Sequence, residues 1–348
     1  MNRTLLYSLL IGATLLGANE PQTPAKIAED MLKQMLSVVN NEDTNTTQQT
    51  TPSPQATTQT PFDYHLQPTQ VSENVWCFLG KLEGPSKENA GAMSNSCWIK
   101  TDDSYVLLDS GPSYQYAKQS YEAMKKIADL PVSTVFISHD HDDHWLGNNF
   151  YKEEFNATLI GPKMVNTNYQ AGDKTRMFQK LPQNAIEGTK IVKLDQTPME
   201  ELNLTIGGEK FEFIPVHKKA HTPEDYFLYM PERQILFTGD LAMNGRITSN
   251  RDGSLMGQLQ AIKMIRAKQW KNLVAGHGFI TDETALDEAE QYFTLMYEQI
   301  TKALEEEMEL TDIDPIEMMK PFQDKAMFDA LNTQNVNEAF TELEFLEE

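Results

Sequence analysis

The sequence predicts a layered α/β domain rather than a simple alternating parallel sheet. Apolar strand segments at 74–79, 97–101 and 105–108 follow one another before the helical pattern at 116–128. Two further segments, 202–206 and 210–215, flank Gly207-Gly208 and predict a hairpin. Strands that come in runs, with helices grouped between them, are typical of helix layers packed on mixed sheets.

The remaining periodic segments continue this plan along the chain. They predict strands at 132–137, 157–160, 226–230, 234–237 and 273–275, and helices at 145–154, 254–268 and 284–308. Apolar residues make up 40% of the 348 residues, which is enough for a substantial core. No internal repeat at a fixed period is visible, so a repeat architecture is not expected.

The first 18 residues have the pattern of a secretory signal peptide. Arg3 supplies a positive charge, residues 5–16 form an apolar segment, and Ala18 is a small residue at the expected cleavage point. Leu16 is not ideal at its position before cleavage, so retention as an N-terminal anchor stays open. The apolar segment is shorter than the about 20 residues that span a membrane. We therefore expect export to the periplasm and no membrane span in the mature protein.

Composition divides the rest of the chain into four parts. Residues 19–39 are expected to form a short amphipathic helix, since apolar residues recur at helical spacing from Ile27 to Val39. Residues 40–61, rich in Thr, Gln and Pro, cannot bury enough surface to fold and are expected to be a disordered linker. Residues 62–300 form the folded domain, and residues 301–348 form an acidic C-terminal extension.

The charge balance limits the possible partners. A net charge of −22 disfavours nucleic acid, whose phosphates need a cationic surface, and also disfavours an anionic membrane. The small-molecule substrate that we expect follows from the family resemblance given below. Residues 301–348 hold 14 acidic residues and 3 lysines, which is half of the net charge. Such a charge run is usually a solvated face or tail. The sequence gives no signal for an oligomeric state.

The two cysteines, Cys77 and Cys97, lie in apolar segments that could be adjacent in a hairpin. In an oxidising compartment they could form a disulfide, and the alternative is two buried free thiols. Neither lies near the ligand-type residues described next, so neither is expected to bind a metal.

The most chemically informative segment is the run from His139 to His144. It places three imidazoles and three carboxylates within six residues, directly after the predicted strand at 132–137. Neutral nitrogen ligands and a hard oxygen ligand suit a borderline metal such as zinc. The run therefore predicts a metal site, and a structural metal or a solvated loop is the less favoured interpretation.

Three later residues of ligand type lie at the ends of predicted strands. His221 precedes the strand at 226–230, whereas Asp240 and His277 each follow a strand and adjoin a glycine that permits a tight turn. Loops at strand ends gather on one rim of a sheet, so these side chains could meet there; the alternative is a capping or core role. His217 and His65 are expected at the surface.

Other residues near these motifs have two possible roles. Trp145 is expected to pack in the core, with a place in the cleft as the alternative. Arg246 and Arg251, in the loop after Asp240, could bind an anionic group of a substrate bidentately or form surface salt bridges.

Together these motifs resemble the metallo-β-lactamase superfamily over about residues 65–300. The shared pattern is the run from His139 to His144, then His221-Thr222, Gly239-Asp240 after a strand, and Gly276-His277. Within the superfamily, segments 239–241, 245–247, 252–255 and 276–278 resemble the metallohydrolases associated with sulfur oxidation and quinoprotein relay systems.

The resemblance implies an α/β fold of the αββα type, a four-layer sandwich with a metal cleft at one edge of the sheets. Carried over residue by residue, it implies a first metal held by His139, His141 and His221, a second held by Asp143, His144 and His277, and a bridging Asp240. Two zinc ions per chain are expected, with iron as the other possibility. Asp109 resembles the strand-end aspartate of the superfamily, which implies that it orients a ligand histidine or its loop.

The implied chemistry is hydrolysis. Two metals lower the pKa of a shared water, so that hydroxide can attack without a serine or cysteine nucleophile. Asp143 is the expected catalytic residue, because with Asp240 it would orient this hydroxide and relay its proton. We therefore expect an exported metal-dependent hydrolase acting on an ester, thioester, lactam, or sulfur or phosphorus ester.

Two other functions stay open. A persulfide dioxygenase-like oxygenase would use one iron held by two histidines and one aspartate. A non-catalytic protein that binds a metal or a sulfur compound would keep the ligands without the reaction. A β-lactamase would fit the export signal, but Asp240 is not expected in enzymes of its third subclass.

Overall fold

The computed structural model describes residues 60–171 and 175–347, which belong to one compact unit. The signal peptide predicted at 1–18, the helix predicted at 19–39 and all but the last two residues of the linker predicted at 40–61 lie outside the described residues. Within the described ranges, no helix combines the length and the apolar character that crossing a membrane requires.

The first half of the domain forms a six-stranded sheet. Its strands lie in chain order: β1 (Thr69–Ser72), β2 (Val75–Phe78), β3 (Ser96–Lys100), β4 (Tyr105–Leu108), β5 (Val132–Phe136) and β6 (Thr158–Ile160). The first four pair antiparallel, and β4, β5 and β6 pair parallel. A parallel pair needs a crossover connection. The helix α1 (Tyr114–Lys125) supplies it before β5, and α2 (Asp142–Trp145) with α3 (Asn148–Phe155) supplies it before β6.

The second half forms a five-stranded sheet. After the short helices α4 (Lys163–Ala171), α5 (Arg176–Lys180) and α6 (Gln183–Ile186) come β7 (Leu202–Ile206), β8 (Glu209–Val216), β9 (Asp225–Met230), β10 (Ile235–Phe237) and β11 (Asn272–Val274). The spatial order is β11-β10-β9-β8-β7, and β10 and β11, joined through α7 (Leu255–Arg266), are parallel. The chain ends with α8 (Asp287–Glu305), α9 (Pro315–Met318) and α10 (Phe328–Glu347).

Local sequence signals account for several of these elements. The predicted hairpin is present as β7 and β8, and Gly207 and Gly208 both have positive φ, as its two-residue turn requires. Ser113 and Ser254 cap α1 and α7, since each side chain accepts a hydrogen bond from a backbone N–H of the first turn. The helix predicted at 145–154 is instead two helices, because a tight turn at Gly147 separates α2 from α3.

Three buried apolar clusters define four layers. One lies between the two sheets, a second packs the first sheet against α1 and α3, and a third packs the second sheet against α7, α8 and α10. Alternating residues serve different clusters: Val106 faces the other sheet, whereas Leu107 faces α1. The αββα sandwich predicted from the sequence is therefore confirmed.

The cysteines form a disulfide between neighbouring strands. Cys77 of β2 lies opposite Cys97 of β3, and both side chains are buried between the sheets. Of the two alternatives left open by the sequence, a disulfide or two free thiols, the structure contains the disulfide.

The acidic C-terminal extension is folded, in contrast to a solvated tail. Val336, Ala339 and Phe340 of α10 are fully buried against the α8 side of the domain. The acidic residues of the extension lie mainly on the outer, solvent-exposed side of its helices. Of the two interpretations, a solvated face or a solvated tail, the solvated face therefore fits the structure. The tail interpretation is wrong because the apolar stripe of α10 recurs at helical spacing and is buried against the helix layer.

Candidate metal centre

All seven predicted ligands lie at one edge of the sandwich. His139, His141, Asp143 and His144 follow β5, and Asp240 and His277 follow β10 and β11. His221 lies just before β9, which runs antiparallel to β10 and so begins where β10 ends. Glycine is needed at 276, because a Cβ there would overlap Oδ1 of Asp240.

The side chains form two groups around Asp240. The donor atoms of His139, His141, His221 and Asp240 lie within 4.8 Å of one another, as do those of Asp143, His144 and His277. In the first group His141 Nδ1 lies 3.0 Å from His221 Nε2, which is 3.3 Å from Asp240 Oδ2. The other group also meets Asp240, since His144 Nε2 is 3.3 Å from its Oδ1 and His277 Nε2 is 3.3 Å from its Oδ2. Asp240 therefore faces both groups.

Every histidine of the centre has its second ring nitrogen engaged on the outer side. These outer contacts are His139 Nδ1 with Ser138 Oγ at 3.0 Å, His141 Nε2 with Asp252 Oδ2 at 3.3 Å, His144 Nδ1 with Asp109 Oδ2 at 2.8 Å, His221 Nδ1 with the Ser249 carbonyl at 3.0 Å and His277 Nδ1 with the Met93 carbonyl at 2.5 Å. Outer partners of this kind fix the tautomer and leave the inner nitrogen as a lone-pair donor.

Asp109 holds two parts of the centre in place, as the sequence predicted. Its carboxylate accepts hydrogen bonds from the backbone N–H and the hydroxyl of Ser138, both at 2.8 Å, and it contacts His144. Asp109 has a φ of +59°, in the left-handed region that is uncommon for a residue with a side chain. Backbone strain of this kind is typical of sites where position matters more than local stability.

Several inward-facing atoms have no hydrogen-bond partner although they are buried. They are His139 Nε2, His144 Nε2, Asp143 Oδ2 and Asp240 Oδ1. A buried polar atom without a partner is costly, so four such atoms at one point indicate a site that a ligand completes. Imidazole nitrogens and carboxylate oxygens are donors for a divalent metal, and the residues therefore fit one.

Burial and neighbouring charges set the protonation of these groups. Burial lowers the pKa of His139 well below its usual range, and His144 acts in the same direction. Burial also lowers the pKa of His277. Although burial opposes it, the pKa of Asp240 is held well below its usual range by His277 and His144. Although burial opposes it, Asp240 raises the pKa of His144 and of His221. Metals bind neutral imidazoles and ionised carboxylates, so metal binding would displace protons from these two histidines.

Arg176 is a charged neighbour that the sequence reading missed. It lies at the start of α5, and its Nη2 donates to Asp142 Oδ1 at 2.8 Å and to Asp143 Oδ1 at 2.6 Å. Despite burial, His144 and Arg176 keep the pKa of Asp143 below its usual range. Asp142 also accepts from the backbone N–H of Met177, so it links α2 to α5. No motif marks residue 176; only the tertiary contact reveals its role.

A model of the metallo-beta-lactamase superfamily matches residues 90–277, which include all seven ligands. The chain belongs to this superfamily. Among curated proteins, a linear primary-alkylsulfatase from Pseudomonas sp. is 24% identical over 172 residues, covering 41% of this chain and 32% of the relative. A metallo-beta-lactamase type 2 from Bacillus sp. is 24% identical over 225 residues, covering 63% of this chain and 78% of the relative. The chain thus spans about a third of the length of the alkylsulfatase.

Solved structures agree with the superfamily fold. A metallo-beta-lactamase from Pontibacter korlensis superposes with a TM-score of 0.53 at 20% identity, covering 66% of this chain and 99% of that one. A stereoselective inverting sec-alkylsulfatase from Pseudomonas sp. superposes with a TM-score of 0.57 at 14% identity, covering 79% and 50%. At these identities the likeness concerns the fold alone.

Membership in the metallo-beta-lactamase superfamily, with hydrolases among the similar proteins, supports at the level of the superfamily the metal-dependent hydrolase expected from the sequence. The narrower resemblance to sulfur-oxidation and quinoprotein-relay hydrolases is not confirmed, although the alkylsulfatase similarity is compatible with it. The structure brings together all seven predicted ligands. Their individual roles, including that of Asp143 in catalysis, stay predictions.

The other histidines and Trp145 lie where the sequence placed them. The side chains of His65 and His217 are 83% and 58% exposed. Trp145 is buried in the cluster beneath the first sheet, and its Nε1 donates to the Asp140 carbonyl at 2.9 Å. The two histidines therefore lie at the surface and Trp145 lies in the core, as expected from the sequence.

The two arginines after Asp240 differ from each other. Arg251 forms an ion pair with Asp252 at the rim, which is the surface salt bridge left open by the sequence. Arg246 is buried and lines the cleft. Asp252 was not anticipated from the sequence, and its contact with His141 is visible only in the fold.

Proposed function

We propose that the protein is an exported two-zinc hydrolase that cleaves an ester, thioester, lactam, or sulfur or phosphorus ester bond of a small molecule. The observation that carries this proposal is the arrangement of the five histidines. Each has one ring nitrogen held by an outer partner, and the other is directed at one of two donor groups that share Asp240. Two donor groups with one shared carboxylate suit two ions better than one.

The donor sets divide by position. His139, His141 and His221 would hold one zinc, Asp143, His144 and His277 would hold the other, and Asp240 would serve both. Bound there, the metals would polarise the substrate oxygen and lower the pKa of a water.

Asp143 can orient the attacking water. Its Oδ1 is occupied by Arg176, whereas its Oδ2 has no partner and faces His144 and His277. The arginine keeps the carboxylate ionised, so Oδ2 is available as a hydrogen-bond acceptor at the centre. The same Oδ2, to which no other protein group donates a hydrogen bond, would both hold the second metal and accept a hydrogen bond from the water.

Export is supported by two independent features. The first 18 residues have the signal-peptide pattern. The Cys77–Cys97 disulfide is of a kind that persists in oxidising compartments and is rare in cytosolic proteins. We therefore propose the periplasm as its location.

The names of the relatives guide the choice of bond. An alkyl sulfate is the first candidate, because an alkylsulfatase appears among both the curated relatives and the similar structures. A β-lactam is the second, since β-lactamases appear in both comparisons as well. A thioester and a phosphate monoester complete the set.

The test is a panel of these four substrates on zinc-loaded protein. Hydrolysis that stops on chelation and returns with zinc is expected for at least one of them, while His217→Ala, an exposed histidine outside the centre, should behave as wild type. One iron per chain together with oxygen uptake on a persulfide would contradict the hydrolase proposal in favour of an oxygenase.

A further inference from the structure

Arg246 is a buried cation at the cleft without a carboxylate beside it. The residue is 6% exposed, its Nη1 donates only a long hydrogen bond of 3.3 Å to the Leu82 carbonyl, and its Nε has no partner. Among the described residues, no acidic group forms an ion pair with it. Burial accordingly lowers the pKa of its guanidinium. A buried charge in this state is costly unless a ligand completes it.

The other arginines of the cleft are already neutralised. Arg176 is paired with Asp142 and Asp143, and Arg251 is paired with Asp252. Their guanidinium groups are therefore committed to positioning parts of the centre. Among the described residues, Arg246 is the arginine of this cleft that has no carboxylate partner, so its charge is available to a ligand.

The backbone around Arg246 is fixed from both sides. The N–H of Ile247 donates to the Ala326 carbonyl, and the N–H of Ala326 donates to the Gly245 carbonyl, both at 3.1 Å. The N–H of Gly245 also donates to Glu288 Oε2 at 2.7 Å. The guanidinium therefore belongs to a preorganised wall, which lowers the entropic cost of binding a ligand.

The cavity beside Arg246 is small and has two kinds of lining. Its volume is about 270 Å³, and it reaches the donor atoms of the metal centre. Apolar side chains form another part of its surface: Met93, Met243, Met327 and Leu331. Met327 and Leu331 come from the C-terminal extension, outside the residues matched by the superfamily model. A small ligand with one anionic group and one apolar group would match both linings.

We infer that the cleft selects a small anionic amphiphile, whose negative group pairs with Arg246 and whose apolar part contacts Met327 and Leu331. That this ligand is a substrate rests on the proposed hydrolase function. Its binding chemistry can be measured without turnover. The competing explanation is that Arg246 only balances the charge of Asp240 and Asp143 at a distance.

The test uses hexane-1-sulfonate, which carries the charge and the chain but no cleavable ester, and hexan-1-ol as its neutral counterpart. Calorimetry on the zinc-loaded full chain should show the sulfonate binding at least about tenfold more tightly than the alcohol. Arg246→Met should weaken sulfonate binding by about 10- to 100-fold, as expected for one charge-assisted contact, and leave the alcohol unchanged. Equal binding of the two compounds to wild type would overturn the inference.

Arg233→Gln is the matched control. Arg233 pairs with Glu209 beyond the end of β9 that is farthest from His221, so its loss removes the same charge away from the cleft. Sulfonate binding in this variant should equal that of wild type. A loss as large as that of Arg246→Met would mean that net charge alone is sensed, and the inference would fail.

A second variant covers loss of metal. If Arg246→Met no longer retains zinc, Arg246→Lys keeps the charge but lacks the planar two-point contact, and sulfonate should bind at least about threefold more weakly. Unchanged affinity would overturn the inference. The two proposals fail separately: Arg246-dependent sulfonate binding without cleavage of any panel substrate would sink only the hydrolase function. Cleavage of a panel substrate, together with sulfonate binding that does not change when Arg246 is replaced, would contradict only the anion-binding role of Arg246.

Discussion

The backbone N–H of Asn250 donates a 2.8 Å hydrogen bond to Oδ1 of Asn335, which lies on α10. Nδ2 of Asn335 donates in turn to the Thr248 carbonyl at 2.7 Å. These two bonds bracket Ser249, whose carbonyl contacts Nδ1 of His221. The C-terminal extension thereby holds the loop that orients one of the ligand histidines.

Replacement of Asn335 should therefore disturb the centre from outside it. Asn335→Leu keeps the approximate volume but leaves a buried N–H and a buried carbonyl without partners, at a cost of about 1–3 kcal/mol each. We expect weaker zinc binding and about a tenfold lower kcat, measured by chelator competition and steady-state kinetics. Gln334→Leu, at an exposed position of the same helix, is the control. A zinc affinity of Asn335→Leu equal to that of wild type would show that the two hydrogen bonds of Asn335 do not support the metal centre.

Asp109→Asn should weaken metal binding at the donor group that contains His144. The carboxylate contacts three donors, and an amide has only one accepting oxygen and would set its own N–H groups against at least one of them. Loss of such an outer partner typically costs 10- to 100-fold in metal affinity or activity. Zinc affinity and kcat/KM should fall by about that range. Asp102→Asn, on the exposed turn before β4, should change neither; equal effects in both variants would speak against a specific role.

Metal removal should lower the thermal stability of the domain. A ligand that binds only the folded state stabilises it by about 4 kcal/mol at a thousand times its Kd. For a domain of this size, that corresponds to a decrease in Tm of roughly 10 °C on chelation. Scanning calorimetry with and without chelator measures it. Asp240→Ala should remove most of the difference, and an unchanged wild-type Tm would be evidence against metal bound in the folded state.

The disulfide should contribute to stability but not to activity. Cys77 and Cys97 are 20 residues apart, and closing a loop of that length stabilises a protein by about 3 kcal/mol in the chain-entropy account. The double variant Cys77→Ala/Cys97→Ala should lose about this much free energy of unfolding in denaturant titrations. Its kcat should equal that of wild type, because both cysteines lie between the sheets. A large loss of kcat in a fully folded variant would contradict that separation.

The ligands could be predicted from the sequence because residue type and position coincide. The ligand histidines and aspartates lie next to the ends of apolar strands, and these strand ends meet at one edge of the sandwich. The strand segments and the hairpin follow from the pattern of apolar residues, whereas the order of the strands in the two sheets is visible only in the structure. Apart from Asp109, whose role the family resemblance implied, the sequence did not predict the outer contacts of the histidines. The Met93 and Ser249 carbonyls belong to the backbone, which has no residue signal.

The roles of Arg176, Asp252 and α10 were missed for different reasons. Arg176, at the start of α5, belongs to no recognisable motif, and segment 252–255 was noted only as part of a family resemblance. Only the fold shows that both side chains reach the centre. In α10, the acidic composition concealed an apolar stripe at helical spacing, formed by Phe328, Leu331, Val336, Phe340 and Leu343. Weighing periodicity ahead of net charge would have predicted its burial.

The most direct test of the two-metal account is the metal content of purified wild type and of two variants, measured by mass spectrometry. His141→Ala removes a donor of the first group only, and His277→Ala removes one of the second only. The account predicts close to two zinc per chain in wild type and close to one in each variant. One metal per chain in wild type, retained in the His277→Ala variant and lost in the His141→Ala variant, would contradict it.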